Sequence, residues 1–503
     1  LAIPGGSGDL SQSLAERGIL PMFGFPTRVR NLYVEEPEAG RGRGSNQANW
    51  KKIDRQLDLA VASFAPRAET VWDKRVHTAV GLANFRPSGG GRVVPDVDPL
   101  GVRHQITICR RCSSIRRVEE GQALSACPEC SVAGDSFRHL ELAEPTGFRS
   151  DWRGRDLEGD YARGQRSSVP KISPVEAEMS STETETALAA SGPGDVFVVN
   201  DNNGRLYTFA PVANGKSYVD YDIWEEEEFR LGQLAPDWED RKWVGALGMV
   251  KKTDAVLIRP KAHAQGLDLL PYDPARRGAW YSFGFLLRLV ACGELDINLE
   301  ELDVGYSMGH DTAGPTVSVF LSDQLENGAG YATHLGSEPH LTQLLEATDR
   351  YVANLLSAPA HSGCDSACYD CIRDYYNSAF HPLLDWRLGR DLLDITMGQP
   401  LGIEYWAGYE RALAKAYAQD FDGSDISLEG DVSAILTRGS LLIVRHPFEL
   451  PTVDDAIEHL HLAERMDSAY VDAEEQAGTR DIRFVSSFDL QRRPGWVMAE
   501  QAG

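Results

Sequence analysis

Two pairs of cysteines, each with the spacing CxxC, constrain this chain more than any other feature of its sequence. Cys109 and Cys112 form the first pair, and Cys127 and Cys130 form the second after fourteen intervening residues. Two such knuckles supply four thiolates in the closed tetrahedral arrangement of a structural zinc site. Because four thiolates leave no open coordination position, we expect this metal to stabilise the fold and to take no part in a reaction.

A second cluster contains three cysteines in the stretch HSGCDSACYDC, namely Cys364, Cys368 and Cys371. Three thiolates need a fourth ligand, for which His361 is the nearest candidate and His381 and Cys292 are alternatives. Cys292 lies in an apolar stretch, where a lone cysteine is usually a small core residue. We therefore predict a second zinc ion, held by the three thiolates and by His361.

Composition limits the class of protein. The chain has 503 residues, of which 42% are hydrophobic and 25% are charged, as expected for a globular protein with several domains. It has no apolar run of eighteen residues, so we expect no membrane span. Residues 1–8 lack the pattern of a signal peptide, and paired CxxC cysteines favour metal binding in a reducing cytoplasm. The net charge of −25 argues against coating nucleic acid with the whole surface but allows a local basic groove.

The patterning predicts a multidomain α/β fold of mixed α+β type, with a zinc ribbon and a second cysteine-cluster zinc site. We divide the chain into five segments: a helical and loop region at 1–103, the zinc ribbon at 104–131, a basic turn region with a mobile linker at 132–190, an α/β domain ending in the second cluster at 191–400, and a C-terminal α/β domain at 401–503.

Local patterns support these segments. Apolar residues between Trp50 and Phe64 recur at spacings of three and four, which predicts a helix. Residues 163–186 are rich in Ser, Thr, Glu and Pro with almost no large apolar side chains, which predicts a linker. Residues 279–293 are apolar on nearly all sides and predict a buried helix. In the last segment, Leu441–Val444 predicts a buried strand and Asp454–His461 a helix.

Local basic clusters are candidate nucleic-acid contacts. They comprise the arginines around the first zinc knuckle and those that follow it: Arg110, Arg111, Arg116, Arg117, Arg149, Arg153 and Arg155. Phosphate contacts of this kind give salt-dependent affinity without sequence specificity. Phe148 and Trp152 are candidates for stacking on single-stranded bases. The alternative is that these arginines pair with the many acidic residues of the surface or lie at a partner interface.

Motifs of common enzymes are absent from the sequence. It contains no GxxxxGK[ST] loop, no GxSxG, no HExxH and no HxK pair. The Gly328–Gly330 pair predicts a sharp turn and not a phosphate loop. We therefore expect no catalytic residues, no bound organic cofactor and a chain that is not an enzyme.

The stretch from Cys364 to Leu393 resembles the cysteine-cluster domain at the C-terminus of Mrf-type DNA-repair helicases. The stretches GILPMFGFPTRV (18–29), LDLAVASFAPRAE (57–69) and LSDQLENGAGYATHL (321–335) resemble other parts of that family in the same order. The resemblance covers roughly residues 10–400, so segment 191–400 corresponds to a helicase-associated domain. The helicase motor is missing.

A free-standing version of this region is similar to the DrmB family, the helicase partners of the DISARM anti-phage system. The resemblance implies an antiviral, zinc-binding subunit that pairs with a separate superfamily 2, DrmA-like helicase as a heterodimer. It also implies a DNA-binding core for DNA that is single-stranded or carries a single-stranded overhang. Two alternatives remain: a DNA nuclease or processing enzyme that uses residues 401–503, and a purely structural scaffold.

Overall fold

The structure, a computed structural model, describes residues 28–37, 50–88, 92–118, 124–157, 170–174, 178–213, 215, 217–227, 230–263, 266–449 and 460–501. The chain forms two compact units. Unit 1 comprises Leu1–Ala177, Pro193–Asp254 and Asp323–Ala329, and unit 2 comprises Glu178–Gly192, Ala255–Ser322 and Gly330–Gly503. The predicted α+β class is confirmed, whereas the five-segment division stays a prediction.

The strands are β1 (Val29–Tyr33), β2 (Lys52–Gln56), β3 (Glu69–Trp72), β4 (Arg75–Ala83), β5 (Phe85–Ser88), β6 (Arg92–Pro95), β7 (Val102–Cys109), β8 (Ile115–Arg117), β9 (Phe137–Glu144), β10 (Phe148–Ser150), β11 (Arg155–Asp156), β12 (Pro170–Pro174), β13 (Ser180–Glu183), β14 (Ala187–Asn200), β15 (Tyr207–Pro211), β16 (Ser217–Asp220), β17 (Trp243–Pro260), β18 (Leu302–Asp311), β19 (Gly314–Asp323), β20 (Ser424–Leu428), β21 (Val432–Leu436), β22 (Ser440–Arg445) and β23 (Asp481–Ser486).

The helices are α1 (Leu57–Ser63), α2 (Tyr221–Glu226), α3 (Trp238–Arg241), α4 (Pro274–Leu295), α5 (Tyr331–Leu335), α6 (His340–Ser357), α7 (Trp386–Thr396), α8 (Ile403–Asp420), α9 (Leu460–Ala477), α10 (Ser487–Arg492) and α11 (Pro494–Gln501). Among the described residues, no helix combines the length and the apolar character that a membrane span requires.

Unit 1 is built mainly from antiparallel strands. β7 pairs with β9 along its whole length, from Val102 opposite Glu144 to Cys109 opposite Phe137, and with β8 on its other side. β4 pairs with β3, β10 and β16. Large apolar side chains such as Phe148 and Phe209, both 0% exposed, fill the core. This ladder places the end of β7, and with it the first cysteine knuckle, beside the start of β9.

The prediction of a helical region at residues 1–103 is wrong for the part that the structure describes. There the chain forms β1–β6 and the start of β7, with α1 as its one α-helix. The apolar spacing that predicts a helix crosses the junction between β2 and α1. Lys52–Gln56 pairs with β1 as a strand because its backbone completes the ladder, so the tertiary pairing overrides the local period.

The predicted mobile linker at 163–186 is also wrong where it can be compared. Residues 158–169 and 175–177 lie outside the described residues, but β12 and β13 both pair antiparallel with β14. The backbone of a strand pairs whether or not its side chains are apolar. A segment as polar as Ser180–Glu183 therefore joins a sheet when a partner strand is present.

A distant segment completes unit 1. Asp323–Ala329 belongs to this unit although the preceding strand residues belong to unit 2. Lys251 is 3% exposed, and its ammonium donates to the carbonyl oxygens of Asp323 and Gln324 at 3.1 and 3.0 Å. The Thr253 hydroxyl donates to the Leu325 carbonyl oxygen at 2.6 Å. These bonds fix the segment against β17.

Unit 2 is organised around α4, the predicted buried helix. Asp273 caps its start by accepting from the Arg276 amide at 2.9 Å, and Pro274 occupies its first turn. Gly278 lies so close to residue 383 that an added Cβ would sit 2.3 Å from the Leu383 carbonyl oxygen. The helix therefore approaches the segment before α7 as closely as a backbone can.

The last part of unit 2 is a small α/β subdomain. β20, β21 and β22 form an antiparallel meander, and β23 lies parallel to β22. α8 packs on one face of this sheet, where Ile435 and Leu442 are buried, and α9 packs on the other. The predicted strand at 441–444 is confirmed within β22. The predicted helix Asp454–His461 falls mainly on residues 450–459, outside the described residues.

Candidate metal centres

The first tetrad consists of two cysteine knuckles in unit 1. Cys109 ends β7, and Cys112 lies in the turn that leads to β8. Cys127 and Cys130 form the second knuckle, which a hydrogen bond from the Ser131 amide to the Cys127 carbonyl oxygen closes at 2.9 Å. The four sulphur atoms all lie within 4.8 Å of one another.

The sulphur separations in this first tetrad fit a metal and not disulfides. Both Cys109 to Cys130 and Cys112 to Cys127 have Sγ–Sγ distances of 3.5 Å. A tetrahedral zinc ion with Zn–S bonds of about 2.3 Å holds its sulphur atoms roughly 3.8 Å apart, whereas a disulfide holds them about 2.05 Å apart. Cys112 is 0% exposed, so the group is also shielded from solvent.

The thiols of the first tetrad share protons unequally. The Cys112 thiol donates to Cys109, and this hydrogen bond lowers the pKa of Cys109 to about 5. Burial raises the pKa of Cys130 to about 11. Zinc binds thiolates, so loading the site releases protons and couples metal affinity to pH. The donor set and its geometry are consistent with one zinc ion here.

The second tetrad joins His361 to Cys364, Cys368 and Cys371, whose ligand atoms also lie within 4.8 Å of one another. The sulphur atoms of Cys368 and Cys371 are 3.7 Å apart. The His361 ring packs edge-on against Trp386 at 5.2 Å, and its buried Nε2 has no hydrogen-bond partner among the described residues. A metal ion would satisfy this nitrogen, and the set is consistent with a second zinc ion.

The structure brings His361, and neither alternative, to the three thiolates. His381 Nε2 is 2.9 Å from the Asn377 side-chain oxygen and 3.1 Å from the Asp374 carbonyl oxygen. Cys292 is directed towards the Asn298 carbonyl oxygen. Burial lowers the pKa of His361, which favours the neutral imidazole that binds metals. The role of each residue as a ligand stays a prediction.

Side chains from three helices hold the backbone of the second tetrad. The Arg387 guanidinium donates to the carbonyl oxygens of Cys364, at 3.2 Å, and of Asp365. Gln491 donates to the same Asp365 oxygen at 2.7 Å, and the Tyr409 hydroxyl does so at 3.5 Å. These three helices, α7, α8 and α10, therefore meet at the loop that carries Cys364.

The predicted basic contacts around the first tetrad are exposed, and most pair with acids. Arg111 and Arg153 are exposed. The remaining exposed arginines form ion pairs: Arg110 with Asp201 at 3.0 Å, Arg117 with Asp195 at 3.0 Å, Arg155 with Glu69 at 2.9 Å, and Arg116 with Glu129. Pairs as exposed as these are worth about 0–1 kcal/mol, so the guanidinium groups can exchange partners.

Arg149 and Phe148 do not belong to an exposed surface, contrary to their prediction as nucleic-acid contacts. Arg149 is 1% exposed, donates to the Ser217 hydroxyl at 3.0 Å and stacks on the Trp152 ring at 3.7 Å. Burial lowers its pKa to about 10. Phe148 is 0% exposed. Both lie on β10, which β1 and β4 flank, so neither side chain can reach a nucleotide in this conformation.

One near-match to a phosphate loop is visible only on closer comparison. Ala210–Ser217, APVANGKS, departs from GxxxxGK[ST] only in its first residue. A phosphate loop joins a strand to the start of a helix, whose amides bind the phosphate. Here β15 and β16 flank the segment as an antiparallel hairpin, and Ser217 is 3% exposed. The match therefore lacks the geometry of a phosphate site.

Two carboxylates occupy the glycine turn that the sequence singles out. The Ala329 amide donates to the Asp323 carboxylate at 2.6 Å. An added Cβ on Gly328 would lie 2.4 Å from Asp254 Oδ2. Negative charge on both sides of the turn repels phosphate, which agrees with the prediction of a sharp turn.

The alternative of a nuclease in residues 401–503 needs carboxylates that DNA can approach. Glu410 and Glu449 are the most buried carboxylates of this subdomain among the described residues, at 0% and 1% exposed. Arg465 lies 2.5 Å from Glu449 and 3.8 Å from Glu410. Burial and the nearby Glu449 raise the pKa of Glu410 well above its usual range. These two residues therefore give the nuclease alternative no open site.

Comparison with known proteins gives distant similarities. No family model matches the chain. The Druantia protein DruE of Escherichia coli (strain UMEA 4076-1) is 23% identical over 418 residues, which cover 76% of this chain and 22% of DruE. The chain thus spans less than a quarter of that relative.

Two crystal structures of the DUF1998 helicase MrfA are also similar. The structure bound to DNA has a TM-score of 0.34 and 9% identity, covering 70% of this chain and 32% of MrfA. The structure bound to DNA and AMPPNP has a TM-score of 0.26 and 10% identity, covering 71% and 32%. TM-scores this low do not establish a shared fold.

The comparisons contradict the expectation that the chain is not an enzyme. Both solved structures are those of a helicase, and helicases are enzymes. A missing phosphate loop is therefore not sufficient to separate this chain from enzymatic machinery.

Proposed function

We propose that this chain is the zinc-binding, DNA-associated part of a helicase-type enzyme in bacterial anti-phage defence. The observation that carries the proposal is the similarity to DruE, an anti-phage defence protein, across 76% of the chain. The second tetrad supports it, because it lies in the stretch that resembles the cysteine-cluster domain of Mrf-type helicases. In finer terms, we propose a DrmB-like protein that acts on phage DNA in the cytoplasm.

In this proposal a superfamily 2 motor works together with the chain. The sequence has no GxxxxGK[ST] loop, and its nearest match forms a hairpin. The motor is then carried by a DrmA-like partner, as a heterodimer, or by another part of a longer protein. The chain covers 22% of DruE, which leaves room for either arrangement.

The exposed arginines beside the first tetrad are the proposed DNA contacts. They are Arg110, Arg111, Arg116, Arg117, Arg153 and Arg155. A zinc-bound knuckle fixes the backbone on which the first four stand, so their positions relative to one another are set before DNA arrives. Their weak surface ion pairs cost little to exchange for phosphates. Single-stranded DNA, or DNA with a single-stranded overhang, is the proposed ligand.

The first experiment tests the partner. The chain is co-expressed with a DrmA-like helicase encoded beside it, purified through a tag on the helicase, and analysed by sedimentation at low micromolar concentration. We expect a stable complex that contains both chains. Separate sedimentation of the two chains would reject the heterodimer.

The second experiment tests the DNA contacts in the purified complex. Arg110, Arg111, Arg116 and Arg117 are changed together to Glu, and the affinity for labelled DNA with an overhang is measured at several salt concentrations. Each lost phosphate contact on a single strand lowers the slope of log K against log salt by about 0.7. Arg438→Glu is the control, because Arg438 is 90% exposed in the C-terminal subdomain. An unchanged affinity and slope would favour the scaffold alternative.

A further inference from the structure

An exposed pair of tyrosines stands beside the second tetrad. Tyr375 is 81% exposed and Tyr376 is 54% exposed. Their rings meet edge to face, with centroids 5.6 Å apart and an interplanar angle of 86°. Large aromatic rings this exposed are costly to keep in water, and tyrosine is enriched at the centres of protein interfaces. We define the acidic tyrosine surface as these two residues with Glu294, Asp296 and Glu300.

The backbone under the two rings is rigidly held. The Asp374 carboxylate accepts from the Tyr376 amide at 2.7 Å and from the Asn377 amide at 3.0 Å. Asn377 in turn donates to the Ile372 carbonyl oxygen at 2.7 Å. The Arg288 guanidinium pairs with the same Asp374 carboxylate. Binding at Tyr375 and Tyr376 therefore requires little ordering of the chain, which favours affinity.

The charge around the rings is negative. The Tyr376 hydroxyl is hydrogen-bonded to Glu300. Nearby, α4 ends with Glu294 in its last turn and Asp296 as its cap, and its last turn holds no basic residue. A helix C-terminus already carries partial negative charge and normally attracts cations. Arg288 does not offset this charge at the surface, because it is 5% exposed.

We propose that the acidic tyrosine surface binds an arginine- or lysine-bearing segment of a second protein. Carboxylates and aromatic faces together recognise guanidinium and ammonium groups through ion pairs and cation–π contacts. The same carboxylates and the helix C-terminus repel phosphates, so the charge disfavours a nucleic acid here. This surface is distinct from the DNA contacts proposed above, and its role does not depend on them.

Fluorescence anisotropy with the full chain tests the proposal. The probes are a labelled nonapeptide of alternating Arg and Gly, a matched Glu and Gly peptide, and oligo(dT). Tyr375→Ala with Tyr376→Ala should weaken binding of the arginine peptide by about tenfold. Glu294→Gln with Glu300→Gln should weaken it by roughly threefold to tenfold. Tyr369→Ala is the control, since Tyr369 is 73% exposed on the same module but lies outside this surface.

The outcomes separate the possible ligands. A loss confined to the tyrosine and glutamate variants supports the proposal. Equal binding by all variants, or equal binding of the acidic peptide, overturns it. Binding of oligo(dT) that the tyrosine variant abolishes would make the surface a nucleic-acid site instead and also overturns it. Zinc content is measured in each variant, and if the alanine variant loses metal, the glutamate variant decides.

Discussion

The Arg387 guanidinium and the Cys364 carbonyl oxygen are 3.2 Å apart, in a hydrogen bond that ties α7 to a metal-binding loop. The same guanidinium lies 4.4 Å from the Tyr409 ring and receives support from Asp385 at 3.4 Å. Arg387 therefore links the second tetrad to α8 and to the C-terminal subdomain. Stability of that subdomain and occupation of the metal site should depend on each other.

Arg387→Ala should loosen this link. The variant loses its bonds to the carbonyl oxygens and leaves Asp385 buried without its cation, which should lower the free energy of unfolding by about 2–4 kcal/mol. Hydrogen exchange should become faster in Cys364–Cys371 and in α8. Arg390→Ala is the control, because its exposed pair with Asp394 is worth less than about 0.5 kcal/mol. Unchanged exchange in both regions would show that Arg387 does not form the link.

Removing one ligand should remove one zinc ion. Cys371→Ser should reduce the metal content from two ions per chain to one, and should lower the free energy of unfolding by about 3 kcal/mol or more. Metal content is measured by mass spectrometry and stability by urea unfolding. Cys292→Ala should keep both ions, since Cys292 belongs to neither tetrad. A wild-type protein that holds fewer than two ions would contradict the assignment.

The close approach of α4 to residue 383 predicts opposite effects for two glycines of one helix. Gly278→Ala places a Cβ 2.3 Å from the Leu383 carbonyl oxygen and should destabilise the protein by about 1–3 kcal/mol. Gly293→Ala meets no atom within 4 Å and should stabilise it by about 0.5–1 kcal/mol. Urea unfolding of the two variants checks the sign of each change. Equal effects would indicate that the contact at Leu383 is not tight.

Asp220 should make stability depend on pH. Burial raises its pKa to about 6 in the folded state, against about 3.9 when unfolded. The folded chain therefore takes up a proton first as pH falls, and the stability of the wild type relative to Asp220→Asn should rise by about 1 kcal/mol between pH 7.5 and pH 5. The asparagine keeps an oxygen for the Ile223 amide, which the aspartate accepts at 3.2 Å.

The comparison between these two proteins isolates the carboxyl group, because acid affects both zinc sites equally. Unfolding is measured by urea at each pH. A difference that stays constant across the range would show that Asp220 does not titrate there.

The metal clusters could be predicted because their geometry is local. A CxxC knuckle is closed by hydrogen bonds within a few residues, so spacing alone identifies Cys109, Cys112, Cys127 and Cys130. His361 follows the same logic, because it lies three residues before Cys364. The burial of Arg149 could not be predicted in this way, since it depends on β4 and β16, which are far away in the sequence.

Strands were the weaker part of the prediction for a related reason. Apolar spacing reports how side chains face a core, but it does not report which backbone pairs with which. Lys52–Gln56 and Ser180–Glu183 are polar segments that become strands because β1 and β14 offer them ladder partners. The long buried helix α4 was easier to predict, because a helix satisfies its own backbone and its apolar surface is written in a single stretch.

The position of Asp323–Ala329 in unit 1 has a consequence for the order of synthesis. A ribosome delivers β17, with Lys251 and Thr253, about seventy residues before the carbonyl oxygens that these side chains bind. Unit 1 therefore cannot close as its own strands emerge, and much of the central helical part of unit 2 leaves the ribosome first. Protein made without residues 323–329 would release a nascent unit 1 with a buried ammonium unsatisfied, so no single cut in the gene separates the two units into chains that can fold.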